Sequence, residues 1–161
     1  MRTAESGYSL SDQAEEVAPL PAIDEQTLAA LKALEREAVR LAEGGSVPAA
    51  MQKLDEAIAR CPIYASAYNN RAQARRMTGD VDGALNDLDK AIEYGAGNAA
   101  ILKQAFTQRS IIRKSRGDAA GAESDLAQGA RYGNEIAKAT IKQNPYAKLC
   151  SAMVAEAMKN C

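Results

Sequence analysis

Three glycines, each followed by a residue suited to capping a helix, recur along the chain: Gly45-Ser46, Gly79-Asp80 and Gly117-Asp118. The first two are 34 residues apart and the last two 38. Glycine ends a helix by taking the left-handed conformation, and Ser or Asp caps the first amides of the next helix. A spacing of this size marks a stack of like helix–turn–helix units instead of a single irregular core. Pro48 stands where the first turn of a helix tolerates proline.

The side chains around these turns keep the same register. Five residues past each glycine is Ala50, Ala84 or Ala122, then Leu54, Leu88 or Leu126, then Ala57, Ala91 or Gly129. This small–large–small order on one face suits a second helix pressed tightly on a first. Upstream, Leu34, Tyr68 and Phe106 share one position, and Ala38, Ala72 and Ser110 another. Cys61-Pro62 ends the first unit, because the residue before proline is driven out of the helical region. The units are 31–64, 65–98 and 99–136. Ala99, Ala100, Ile101 and Leu102 form an insertion that lengthens the third unit's first helix by about one turn. Gly129, where alanine is expected, makes that copy the weakest.

Charge supports the register. Glu37, Arg71 and Arg109 occupy one position of the first helices, and Lys53, Asp87 and Asp125 one position of the second. Each unit thus offers opposite charges, with the order swapped in the first. An ion pair between paired helices is expected in all three. As exposed pairs they are worth only about 0–1 kcal/mol, so they serve as evidence of register and not as a source of stability.

Structure is expected from Asp24, an N-cap ahead of the stripe Leu28, Leu31, Leu34, Ala38 and Leu41. Residues 1–23, with Pro19, Pro21 and several serines, are expected to form a disordered tail. The repeats then fill 24–136 and capping helices 137–161. Glu135 to Gln143 reads as a short helix stopped by Asn144-Pro145. Tyr146, Leu149, Cys150, Met153, Val154 and Ala157 follow on one stripe, as the cap that a repeat stack requires.

Several function classes drop out. Aromatics are 4% of the chain with one Phe and no Trp, and no strand-type alternation extends over a useful length, so the fold class is all-α. Twenty basic against 21 acidic residues give a net charge of −1, without the basic excess of a nucleic-acid binder. The arginines Arg71, Arg75, Arg76, Arg109, Arg113 and Arg116 are diluted by acids on the second helices. No run of 18 apolar residues would span a membrane. The three cysteines Cys61, Cys150 and Cys161 form no C-x-x-C, which favours a reduced, cytoplasmic protein. With no histidine and no ligand-type spacing, neither catalysis nor a metal or other cofactor is expected.

The period, the helical hairpin and the residue types together resemble tetratricopeptide repeats (TPRs) over residues 31–134. Two segments are more distinctive: Ala65-Ser66-Ala67-Tyr68-Asn69-Asn70-Arg71-Ala72-Gln73-Ala74-Arg75-Arg76 with Gly79-Asp80-Val81 and Gly83-Ala84-Leu85, and Asn144-Pro145-Tyr146-Ala147-Lys148-Leu149-Cys150. With these, residues 30–158 resemble the tetratricopeptide repeat protein 36 family of small three-repeat proteins. That resemblance implies a TPR helical-hairpin superhelix, acting as an intracellular adaptor that partners heat shock protein 70. It links members more loosely to ciliary assembly.

Chaperone-adaptor TPR domains grip a C-terminal carboxylate with five residues. At those positions this chain has Glu35 and Val39, then Asn70, then Gln104 and Gln108. Only Asn70 matches, and Glu35 would repel the anion, so a complete clamp is not expected. The groove is expected to be lined by Lys32, Glu35, Arg36, Asn69, Asn70, Gln73, Arg76, Gln104, Thr107, Gln108, Ile111 and Lys114. Amides there would hold the backbone of an extended peptide with little demand on its sequence. A solvated helix face would carry the same residues, so the sequence leaves both readings open. The leading expectation is a monomeric, non-enzymatic protein-binding adaptor. The alternative is a structural subunit of a larger complex such as a ciliary assembly, using its convex face or terminal helix.

Overall fold

The computed structural model describes residues 19–143. They form six helices: α1 (Glu25–Glu43), α2 (Val47–Arg60), α3 (Ala65–Met77), α4 (Val81–Tyr94), α5 (Ala99–Ser115) and α6 (Ala119–Gln143). Most of the tail expected at residues 1–23 and the capping stripe from Tyr146 to Ala157 lie outside the described residues. No described helix is long and apolar enough to cross a membrane.

The helix ends follow from the turn chemistry. Gly45, Gly79 and Gly117 have φ of 83–85° in the left-handed region, as their spacing predicts. The Asp24, Asp80 and Asp118 carboxylates accept the Thr27, Gly83 and Gly121 amides at 2.8, 3.0 and 2.9 Å. Ser46 precedes α2 without a side-chain capping bond. A fourth turn of the same design went unread in the sequence. Gly97 also has a left-handed φ, of 84°, and the Asn98 side chain accepts the Ile101 amide ahead of α5. Asn caps as well as Asp does, so the signal was present.

The helices pack as hairpins α1–α2, α3–α4 and α5–α6, and each hairpin's second helix leans on the next hairpin's first. Along one side α1 contacts α3 and α3 contacts α5, while α2, α4 and α6 do not approach one another among the described residues. The first helices therefore line the inner side. Leu31, Ala38, Ala50, Leu54 and Ala57 form one buried layer, and Tyr68, Ala72, Ala84, Leu88, Ala91, Ala105 and Ile112 the next. Alanines at the contacts let the helix backbones come close.

Three expectations change. The separate helix expected at Glu135–Gln143 is the end of a continuous 25-residue α6. A single interior glycine such as Gly133 costs about 1 kcal/mol without breaking a helix, and the first strong breaker is Asn144-Pro145. Leu126 is exposed rather than packed, because no later helix of the described residues covers it. Gly129 does not weaken the third unit but tightens it. It is buried, and a Cβ there would stand 3.1 Å from Thr107 Oγ1, so glycine lets α6 approach α5.

The expected ion pairs form in all three units, but two are not surface pairs. Arg71 clasps Asp87 with two hydrogen bonds of 2.8 and 2.9 Å, and Arg109 clasps Asp125 at 2.9 and 3.0 Å. Asp87 and Asp125 are each only 2% exposed. Arg75 and Arg113 reach the same two carboxylates at 3.2 and 3.1 Å. Only Lys53–Glu37, at 3.8 Å, is a half-exposed pair of the kind expected. Asp87→Ala removes the enclosed carboxylate shared by Arg71 and Arg75, leaving them only the exposed Asp55 and Asp80, and is expected to cost about 3 kcal/mol, whereas Lys53→Ala costs less than about 1 kcal/mol. Gly79→Ala forces a left-handed alanine and costs about 1 kcal/mol. Urea unfolding of the three variants checks this order.

Candidate protein-interaction groove

The inner side of α1, α3 and α5 holds three adjoining cavities. The first lies between α1, α2 and α3, has a volume of about 230 Å³, and is walled by Ala38, Ala42, Ala50, Leu54 and Ala74. Val39 and Met77 form its exposed apolar rim. The second is bordered by Lys32, Glu35, Arg36, Val39, Ser66 and Asn70. The third is bordered by Asn70, Gln73, Arg76, Lys103, Gln104, Thr107 and Gln108. Asn70 touches all three and Gln73 two, so they form one continuous groove.

Nine of the residues expected to face the groove from the sequence border these cavities: Lys32, Glu35, Arg36, Asn70, Gln73, Arg76, Gln104, Thr107 and Gln108. Ile111 and Lys114 are exposed further along α5 and border none of the three. Asn69 is different, being 3% exposed. Its Nδ2 donates to Gln104 Oε1, and its Oδ1 accepts from Gln108 Nε2, both at 2.8 Å. These amides join α3 to α5 instead of standing open. Consecutive residues lie about 100° apart around a helix, so Asn70 can face the groove while Asn69 turns into the contact.

Glu35 is the pivot of the opposite end. Asn70 Nδ2 donates to its Oε1 at 2.9 Å, and the Tyr64 hydroxyl donates to its Oε2. Tyr64 is 8% exposed, and burial first, then the Glu35 carboxylate, pushes its phenol well above the ordinary 10.0. Tyr64 did not emerge from the sequence as a groove residue. Its only trace was a position at the end of the first unit, with no periodic partner.

No family model matches the chain. Among curated proteins it is 40% identical over 128 residues to tetratricopeptide repeat protein 36 of Mus musculus, spanning 79% of this chain and 69% of that one. It is 48% identical over 145 residues to the Nematostella vectensis homolog, spanning 89% and 80%. Against the Caenorhabditis elegans protein of the same name it is 52% identical over 124 residues, spanning 76% and 69%. The chain belongs to the tetratricopeptide repeat protein 36 family. Among solved structures, the globular C-terminal domain of P. aeruginosa LpoP superposes with a TM-score of 0.56 at 23% identity. That match covers 68% of this chain and 99% of the other, and is a likeness of fold.

Membership brings a helical repeat fold of the kind that mediates protein–protein contact. The Asn70 amide already donates to the Glu35 carboxylate. Val39 is an exposed apolar surface on the same side of the groove. Because the folded phenol of Tyr64 titrates above its unfolded value, its stabilisation is complete below pH 10.0 and is lost as pH climbs beyond it. Absorbance titration is expected to show that Tyr64→Phe removes a phenol ionising later than an ordinary tyrosine. Stability of the variant should fall less steeply with pH above 10.0 than that of the parent.

Proposed function

We propose that the chain is a non-enzymatic adaptor that holds an extended segment of another protein along the groove of α1, α3 and α5. The observation carrying this reading is the continuity of three cavities through Asn70 and Gln73, which gives a path and not an isolated pit. Asn70 and Gln73 border that path outside the Asn69–Gln104–Gln108 tie, and amides bond a peptide backbone without demanding particular side chains. Belonging to a TPR family supports the same use of the inner face.

The resemblance to the family implies heat shock protein 70 as a partner, and we propose that it is held without a carboxylate clamp. Glu35 supports this, because a chain-end carboxylate brought to Asn70 would meet a like charge that Asn70 already bonds. A cytoplasmic, monomeric protein belongs to the same reading, with the buried free thiol of Cys61 in keeping with a reducing compartment.

Two measurements test it. Removing the last few residues of heat shock protein 70 is expected to change its affinity for this chain by less than about threefold, or about 0.7 kcal/mol. Loss of binding on that truncation would mean that a clamp operates. The variant combining Asn70→Ala, Arg76→Ala and Gln108→Ala is expected to keep its helical circular dichroism and lose its partners. Unchanged capture by a folded variant would move the binding surface to the convex face or the terminal helix, as in an assembly subunit.

A further inference from the structure

We propose that the groove selects an internal peptide segment in which one aliphatic residue is flanked on both sides by acidic residues. The inference rests on the groove reading above and adds the chemistry of the occupant.

The aliphatic anchor follows from the cavity between α1, α2 and α3. Its floor and walls are Ala38, Ala42, Ala50, Leu54 and Ala74, and its volume is about 230 Å³. A cavity of about 150 Å³ already accepts a benzene ring, so a Leu, Ile or Met side chain fits. Val39 and Met77 stand at the rim with 45% and 60% of their surface open to water. Two large apolar side chains this exposed around one alanine-walled pocket are what a partner's side chain would cover.

The flanking acids follow from which cations are already used. Arg71, Arg75, Arg109, Arg113 and Arg116 each have a carboxylate within 4 Å. Among the described residues, Lys32 and Arg36 on one side of the pocket and Arg76 and Lys103 on the other have none. These four border the cavities that adjoin the pocket through Val39, Asn70 and Gln73. A groove bordered at both ends by cations that pair with no carboxylate among the described residues, in a chain of net charge −1, favours a negatively charged ligand by complementarity.

Glu35 and Glu43 fix where those negative charges go. Glu43 borders the anchor cavity, while Glu35, held by hydrogen bonds from Asn70 and Tyr64, borders the second cavity between Lys32 and Arg36. They exclude a carboxylate from the anchor position and from the Asn70 side of the second cavity, so the acid at that end lies toward Lys32 and Arg36. The same repulsion disfavours a free C-terminal carboxylate beside Asn70, which suits a segment lying inside a longer chain.

Fluorescence anisotropy on the full chain tests this with a dye-labelled peptide carrying Asp-Glu-Leu-Glu-Asp in a Ser/Gly frame, acetylated and amidated at its ends. Replacing its Leu by Ser, or its acids by Asn and Gln, is expected to weaken binding at least about tenfold, equal to about 1.4 kcal/mol. Arg76→Glu combined with Lys103→Glu should do the same, as should Val39→Ser combined with Met77→Ser. All four positions are at least partly exposed, and circular dichroism confirms that the variants fold. A free-acid version should bind no more tightly than the amide. Equal binding of the neutral peptide, or binding only of the free acid, overturns the proposal. If the amidated acidic peptide does not bind while the Asn70/Arg76/Gln108 variant still loses its protein partners, the occupant's chemistry is wrong and the groove reading stands. If that variant also keeps its partners, both fall.

Discussion

Buried arginine–aspartate clasps set the geometry on which everything else in the molecule rests. Arg71 on α3 bonds Asp87 on α4 and Asp55 on α2, so one guanidinium joins three helices of two successive hairpins. Arg109 on α5 does the same with Asp125 on α6 and Asp89 on α4. Each guanidinium also lies over an aromatic ring, Tyr68 at 5.6 Å and Phe106 at 5.4 Å. Hydrogen bonds donated to Asp87 and Asp125 hold both guanidinium groups even more firmly protonated than usual. Bidentate pairing tolerates little change in angle. The clasps therefore fix how the two helices of a hairpin pair, and single bonds to the exposed Asp55 and Asp89 tie each of these hairpins to the one before it.

Those ties, with amide bonds between the first helices, give the groove its form. With α1, α3 and α5 held side by side, Asn69 reaches Gln104 and Gln108 across the α3–α5 contact, and Asn70 reaches Glu35 across α1–α3. The amides that an open repeat would offer to a ligand are thus divided between joining helices and lining the path. Charge is divided the same way. The arginines toward the second helices are consumed by aspartates, while Lys32, Arg36, Arg76 and Lys103 remain along the inner side.

Much of this was legible residue by residue. The left-handed glycines at 45, 79 and 117 and the caps at Asp24 and Asp80 follow from local backbone chemistry, which needs no knowledge of the rest of the chain. The pairing of Arg71 with Asp87 and Arg109 with Asp125 could be found because a repeated unit shows each position three times. Gly97-Asn98 was missed for the opposite reason, since it lies between units and breaks the 34-residue rhythm. Tyr64 was missed because its partner Glu35 is 29 residues away on another helix, and nothing local announces a hydroxyl–carboxylate bond.

The sequence by itself determined the helices, their turns and the register in which they pair, because capping, glycine conformation and helical spacing act over a few residues. Only the tertiary structure decided burial and partnership. Asp87 and Asp125 became enclosed anchors instead of surface charges, Asn69 became a tie between helices, and Leu126 stayed exposed. Each of those outcomes depends on which surface a neighbouring helix covers. That is set by side chains up to 39 residues apart, beyond the reach of any periodic reading.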